Sequence, residues 1–163
     1  MELPPNFDYF EKGADGAAAI EKLIKENGDT VCQDRIGHEY ILNTVKKYLF
    51  GFSHKTIIAR IGQRQKKKNP EHLYSFIICD YFELCNSINI NLICSRENAK
   101  DGKLLIQLVE TKAKELGFSK LTLFSILDDK LVRWYRSQGF KIEKEVYNPG
   151  TTELKTYLMS KDI

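Results

Sequence analysis

Two stretches of the chain carry residue types that suit an anionic ligand and a moving proton. In the first, Asp101, Gly102 and Lys103 open a strongly amphipathic helix. The first turn of a helix leaves backbone N–H groups without intrahelical partners, and the helix dipole adds positive potential there. Phosphate groups bind at such helix starts, and Lys100, Lys103 and Arg96 would add positive charge. This stretch is therefore compatible with a phosphate-binding site at the helix start.

A simpler interpretation of the same stretch is a helix start flanked by solvated lysines. A P-loop is excluded there. That motif needs a glycine five residues before Gly102 and a serine or threonine after the lysine, where this chain has Glu97 and Leu104.

Proton transfer is the second kind of chemistry that the sequence supports. Tyr135 lies on a short amphipathic helix predicted over 128–138, and a positioned tyrosine can act as a general acid. Its spacing from Leu131 and Val132 also fits a tyrosine that packs in the core. Asp128 stands where an N-cap residue would begin this helix. The spacing alone leaves both interpretations of Tyr135 open.

Proton removal is a related kind of chemistry, and two carboxylates are candidates for a general base. Asp80 and Glu83 lie at the end of a strand predicted over 73–81. Carboxylates are common at exposed strand ends, so the sequence does not select either one.

The elements that must position these residues follow an α/β pattern, β-α-α-β-β-β-α-β-α-β-β. A half-buried strand is predicted over 87–94, with Asn89 and Asn91 on its polar face. Its apolar face consists of Ile88, Ile90, Leu92 and Cys94. Other strands are predicted over 7–10, 56–61, 73–81, 120–126, 140–146 and 154–159. Helices are predicted over 16–27 after an Asp15 cap, 38–50, 102–116 and 128–138. The late β-α-β unit predicts a parallel crossover.

Composition and cysteine usage narrow the class of protein. With 163 residues, 42% hydrophobic and 29% charged, the chain fits one globular domain spanning 1–163. A net charge of +3 is too small to indicate nucleic-acid binding. No apolar run approaches the roughly 20 residues of a membrane span and no signal peptide is predicted, so a soluble cytoplasmic protein is expected. We expect no metal site and reduced thiols at all four cysteines, Cys32, Cys79, Cys85 and Cys94.

Two segments resemble the GNAT acetyltransferases. Residues 90–123, INLICSRENAKDGKLLIQLVETKAKELGFSKLTL, are similar to the family's acetyl-CoA segment of strand, phosphate loop, long helix and strand. Residues 128–140, DDKLVRWYRSQGF, resemble the family helix in which an aromatic-tyrosine pair is followed, after three residues, by Gly-Phe. The loop differs from the usual family pattern, since Lys100 stands in place of a glycine and Glu97 in place of an arginine or glutamine.

The resemblance implies a GNAT acyl-CoA N-acyltransferase fold, with four helices and a mixed, twisted sheet of about six to seven strands. It also implies an N-acetyltransferase that moves an acetyl group from acetyl-CoA to a primary amine by direct attack in a ternary complex. Tyr135 would be the general acid for the CoA thiolate, and backbone amides of the strand at 87–94 would hold the pantetheine and the thioester carbonyl. The implied cofactor-binding residues are Leu92, Ile93, Cys94, Arg96, Lys100, Asp101, Gly102, Lys103, Leu104 and Asp128.

A hypothesis of another class fits the same fold. It is a non-catalytic GNAT-fold module that contacts a protein partner or nucleic acid through the basic loop from Arg64 to Lys68, which is also typical of a solvated hairpin tip. For the enzyme, the acceptor stays open among a polyamine, a small-molecule amine, a peptide N-terminus and a lysine side chain, and a homodimer is compatible with the sequence. Acidic residues of the last hairpin would suit a cationic acceptor: Glu143, Glu145 and Glu153.

Overall fold

The computed structural model describes residues 3, 7–11, 13–27, 43–46, 55–63, 71–95, 101–147 and 155–163. Within them, the strands are β1 (Phe7–Phe10), β2 (Lys55–Gln63), β3 (Glu71–Phe82), β4 (Ser87–Ser95), β5 (Lys120–Ile126), β6 (Lys141–Tyr147) and β7 (Lys155–Asp162). The helices are α1 (Gly13–Asn27), α2 (Gly102–Glu115) and α3 (Asp129–Ser137), with a short 3-10 helix at Glu83–Cys85. Residues 43–46 are helical; the rest of the helix predicted over 38–50 lies outside the described ranges.

The strands form one seven-stranded sheet in the order β1-β2-β3-β4-β5-β7-β6. Neighbouring strands are antiparallel except β4 and β5, which run parallel and are connected through α2. The α/β class, the mixed sheet and the parallel unit late in the chain confirm the prediction. The last hairpin folds back so that β7, and not β6, pairs with β5.

The two faces of the sheet are covered by different helices. Buried side chains of α2 and α3 pack with those of β3, β4, β5 and β7 in one core cluster, and we call this side of the sheet the front face. α1 contacts β1, β2 and β3, and its buried residues Ala17, Ile20 and Ile24 are not part of that cluster. We call the side that α1 covers the back face.

Two predicted glycine ends of helices are confirmed, and one predicted cap is not. Gly117 and Gly139 follow α2 and α3 with φ of 84° and 95°, a left-handed conformation that glycine adopts without strain. The predicted Asp15 cap is wrong, because α1 begins at Gly13 and Asp15 lies in its first turn. A carboxylate in the first turn still interacts favourably with the helix dipole.

No helix in the described part of the chain is long and apolar enough to cross a membrane.

Candidate active site

The parallel strands β4 and β5 part halfway along their length. Their pairing begins at Ser87 and Lys120 and ends at Ile90 and Leu123. β4 nevertheless continues to Ser95, and β5 to Ile126. A gap in the sheet therefore opens beyond Ile90, on the side from which the chain leads into α2.

A β-bulge lies at the point where the strands part. In the pairing of β3 with β4, Cys79 is opposite Ile90 while Ile78 is opposite Leu92, so Asn91 is an additional residue in β4. The bulge reverses the alternation beyond it, and Ile93, not Leu92, packs against the front core. The prediction that Ile88, Ile90, Leu92 and Cys94 share one face is therefore wrong. Leu92 and Cys94 are buried, but on the back face with their partners in β3.

The start of α2 lies on the front face beside the end of β4. Asp101 is buried, and its carboxylate does not cap the helix. Instead, Ser75 Oγ donates a hydrogen bond of 2.8 Å to Asp101 Oδ2, and the Asp101 N–H donates to Ser95 Oγ at 3.0 Å. The charge of Asp101 is thus turned into the sheet. The first turn of α2 carries the exposed side chain of Lys103 and the half-buried one of Leu104.

Gly102 accommodates a neighbouring side chain. A Cβ atom at this position would lie 2.9 Å from Trp134 Cζ2, which is closer than real Cβ contacts. The indole of α3 therefore packs directly against the first residue of α2. Sequence reasoning assigned this glycine to close approach of a phosphate; the structure shows close approach of Trp134.

Tyr135 lies near the end of α3 in the front core. It is 7% exposed, and its ring makes edge-to-face contacts with Trp134 and Phe140, with centroids 5.1 and 6.0 Å apart. The core interpretation of the ring is therefore correct, and it is compatible with a role for the hydroxyl.

Asp128 Oδ1 accepts hydrogen bonds from the N–H groups of Lys130 and Leu131 at 2.9 and 3.0 Å. Its predicted function as the N-cap of α3 is confirmed.

The two candidate bases lie in different places. Asp80 is opposite Asn89 in β4, one residue pair from the parting of the strands. Glu83 follows the end of β3, four residues beyond Cys79, the partner of Ile90. β3 ends at Phe82, three residues or roughly 10 Å along the strand from Cys79, and Glu83 follows in the 3-10 helix. The structure brings Asp80 to the gap and leaves Glu83 away from it.

Sequence reasoning missed a chain of polar side chains on the back face. Thr122 Oγ1 donates to Asn89 Oδ1 at 3.0 Å, Asn89 Nδ2 donates to Asn91 Oδ1, and Asn91 Nδ2 donates to Asp80 Oδ2. Asn89 is only 3% exposed. Two asparagines in one strand were a visible signal, but their partners on β3 and β5 depend on strand register.

The cysteines differ in state. Cys79 and Cys85 are free thiols, buried and exposed respectively. Burial, with the charge of Asp80 adding to it, raises the pKa of the Cys79 thiol far above its ordinary range, so it is not a thiolate nucleophile. Cys94 is disulfide-bonded, and the expectation of a reduced thiol there is wrong. Whether a cysteine is paired is a tertiary property that spacing in the sequence does not reveal.

Several predicted residues lie outside the described ranges, namely Arg96, Lys100, Glu153 and the basic loop from Arg64 to Lys68. Their assignments stay predictions, as does the binding module that relies on the loop. Across the residues that the structure does describe, no group of three or more metal-ligating side chains is positioned to hold a metal ion.

This chain has the GNAT acetyltransferase fold, as the resemblance predicted. In its sheet, the parallel strands β4 and β5 part at a bulge directly before the start of α2. No protein-family model matches the sequence, and no curated protein matches it. Solved structures are similar to it in fold. NAA60 from Arabidopsis thaliana, in complex with a bisubstrate analogue, has a TM-score of 0.66 and 13% identity over 96% of this chain and 99% of that one.

Two further solved structures share the fold. The PaiA N-acetyltransferase from Thermoplasma acidophilum, in complex with coenzyme A, has a TM-score of 0.59 and 15% identity over 96% of this chain and 99% of that one. Nourseothricin acetyltransferase has a TM-score of 0.56 and 18% identity over 66% of this chain. That match spans 65% of the nourseothricin enzyme, which is less than two thirds of its length. At these identities the likeness establishes the fold.

Proposed function

We propose that this protein is an acetyl-CoA-dependent N-acetyltransferase that acts on a primary amine. The observation that carries the proposal is the gap between β4 and β5, which opens at the Asn91 bulge just before the start of α2. Proteins of the same fold bind coenzyme A or a bisubstrate analogue. A gap bordered by two strand edges suits a thin, extended ligand such as a pantetheine arm, and the helix start suits its phosphates.

The start of α2 would hold the pyrophosphate. The N–H groups of Gly102, Lys103 and Leu104 belong to the first turn, and no side chain in the described part of the chain caps it. Because Asp101 faces Ser75, its carboxylate does not compete for these donors. Lys103 adds a positive charge on the exposed side of the turn. The β4 backbone from Leu92 to Cys94 borders the gap and would face the pantetheine and the thioester.

The transfer would proceed by direct attack of the amine on the thioester. The amine nitrogen forms a bond to the carbonyl carbon, the bond from that carbon to sulfur breaks, and the sulfur leaves as a thiolate. Tyr135, on the front face beside the start of α2, would donate its proton to that thiolate and recover the proton that the amine nitrogen loses. Amides beside the gap would stabilise negative charge on the carbonyl oxygen.

Ligand-induced stabilisation tests the proposal. A ligand that binds only the folded protein at 100 times its dissociation constant stabilises it by about 2.7 kcal/mol, or about 5–10 °C in melting temperature for a chain of this size. We expect acetyl-CoA to produce this shift, and Lys103→Glu to reduce it by placing a negative charge beside the phosphates. Lys144→Glu on the edge strand β6 makes the same charge change away from α2 and should leave the shift intact.

Two results would count against the assignment. Absence of both a thermal shift and calorimetric heat at millimolar acetyl-CoA would remove the cofactor. A shift that Lys103→Glu and Lys144→Glu reduce equally would show that the cofactor does not bind at the start of α2.

A further inference from the structure

The polar chain on the back face ends at the point where β4 and β5 part. Asp80, Asn89 and Thr122 are directly opposite one another on three adjacent strands, so their side chains share a face. Asn91 of the bulge completes the connection between Asn89 and Asp80. Thr122 lies one pair from the last paired residues, Ile90 and Leu123. This arrangement places a hydroxyl at the closed end of the gap, on the face opposite α2 and α3.

The carboxylate of Asp80, at one end of this series of polar side chains, fixes the direction of every hydrogen bond in the series. A carboxylate only accepts, so Asn91 must direct its NH2 group to Asp80 and its oxygen to Asn89. Asn89 must then direct its oxygen to Thr122, whose one hydroxyl proton is used in that bond. The Thr122 oxygen therefore offers its remaining lone pair to a ligand, and it can only accept from one.

Apolar side chains continue the same face of β5 into the gap. Residues at alternate positions of a strand lie on one face, so Phe124 and Ile126 follow Thr122. They are 54% and 52% exposed, whereas Leu121 and Leu123 on the front face are buried. The half-buried Leu158 of β7 is directly opposite Phe124 and extends this surface. The back face of the gap thus combines the hydrogen-bond acceptor of Thr122 with an exposed apolar strip.

We propose that this surface binds the acceptor, and that the acceptor is a primary amine carrying an apolar chain. The inference rests on the proposed function, with acetyl-CoA approaching from the front face and the amine from the back. The amine donates an N–H hydrogen bond to Thr122 Oγ1, while its hydrocarbon chain lies on Phe124 and Ile126. Thr122 is thereby a specificity-determining residue.

The same surface disfavours a polyamine. A second ammonium group would lie on the apolar strip of Phe124 and Ile126, where it loses hydration and these side chains offer it no charge. Glu143 of the last hairpin does not compensate for this loss. Glu143 is already engaged by Ser160 and by Lys141 and Lys120 at 3.8 and 4.0 Å. The expectation that Glu143 selects a cationic acceptor is therefore not supported by its contacts.

Acetyl transfer to three amines tests the inference: hexylamine, ethylamine and spermidine, with acetyl-CoA saturating. For wild type we expect the highest kcat/KM with hexylamine, because burial of each methylene improves binding. Thr122→Val removes the hydroxyl and keeps the β-branched shape, so the KM for hexylamine should rise about tenfold. The matched variant Thr122→Ser keeps the hydroxyl and should stay within about twofold of wild type. The KM for acetyl-CoA should not change in either variant.

A second substitution tests the apolar strip. Phe124→Ser leaves the core intact because the ring is exposed, and it should lower the preference for hexylamine over ethylamine about tenfold. Wild type that binds no acetyl-CoA would overturn the proposed function itself. Wild type that binds acetyl-CoA but acetylates spermidine better than hexylamine, or does not acetylate hexylamine, would overturn the acceptor assignment alone. An unchanged KM in folded Thr122→Val would do the same.

Discussion

Tyr135 combines two roles that are often treated as alternatives. Its ring is part of the front core and contacts Trp134 and Phe140, so it stabilises the junction of α3 with the sheet. A buried ring is also held rigidly, and a general acid must be positioned rigidly to be effective. Packing and catalysis are therefore compatible at this residue, and only the hydroxyl distinguishes them.

Tyr135→Phe keeps the ring and removes the hydroxyl. If the hydroxyl protonates the leaving thiolate, kcat should fall by about 10²–10⁴, with little change in the dissociation constant for acetyl-CoA. Tyr81→Phe is the matched control, because Tyr81 also packs against the front core. Tyr81 is opposite Ile88, near the start of β4, whereas α2 follows the end of β4. It should lose at most about 1 kcal/mol of stability and no turnover. Full activity of folded Tyr135→Phe would end the assignment.

At the scale of single residues, the sequence predicts what local rules control. The cap at Asp128 and the glycine ends of α2 and α3 depend on a few neighbouring residues, and they were predicted correctly. The polar chain from Thr122 to Asp80 depends on which residues lie opposite one another across three strands. No local pattern contains that register, so this series of hydrogen-bonded side chains could not be predicted from the sequence.

Among the elements, β4 was predicted correctly as a strand, but the faces assigned to its side chains were wrong beyond Ile90. Alternation predicted the strand at 87–94 almost to its observed bounds, Ser87–Ser95. The bulge at Asn91 then reverses every side chain beyond it. A bulge is a property of two paired strands, and the sequence of one strand does not specify it. The same bulge marks where β4 and β5 part, so the site lies where prediction of the strand failed.

The contact between α2 and α3 gives a prediction about Gly102. Gly102→Ala would place Cβ 2.9 Å from Trp134, and relieving that overlap should cost about 1–3 kcal/mol of unfolding free energy. In a Trp134→Leu background the overlap is absent, and the alanine should be neutral or slightly stabilising because it favours the helix. Urea unfolding of the four proteins measures this coupling. The chain has one tryptophan, so its fluorescence reports the displacement directly in Gly102→Ala. Equal effects in both backgrounds would contradict the contact.

At the scale of the whole molecule, the order of elements was predictable, whereas the order of strands in the sheet was not. Each strand and helix has a local signal of periodicity or capping, and these signals gave the α/β class and the parallel unit. The insertion of β7 between β5 and β6 arises because the last hairpin folds back onto β5. This choice depends on how the complete sheet buries residues such as Met159, which joins the front core from β7.

One ion-pair cluster connects the second half of α2 to β7. Glu110 of α2 accepts hydrogen bonds from Lys161 of β7 at 2.8 Å and from Lys114, one turn along the helix, at 3.2 Å. Partial burial acts to raise the pKa of Glu110, but the hydrogen bonds and charges of Lys161 and Lys114 outweigh it and lower the pKa below its ordinary value. Folding therefore favours the ionised form of this carboxylate.

The stability contributed by Glu110 should disappear in acid. Above the ordinary glutamate pKa of about 4.3, the carboxylate is ionised in both states and its contribution is complete. As the pH falls below that value towards the lower pKa of the folded state, the unfolded chain binds the proton first, and the stability is lost. Glu110→Gln should thus cost about 1 kcal/mol at pH 7 and progressively less below pH 4, measured by urea unfolding across pH. Glu115→Gln makes the same charge change at the end of α2, where Glu115 is ion-paired with Lys112 of the same helix, and controls for net charge. A pH-independent difference between wild type and Glu110→Gln would show that packing, and not the charge, connects α2 to β7.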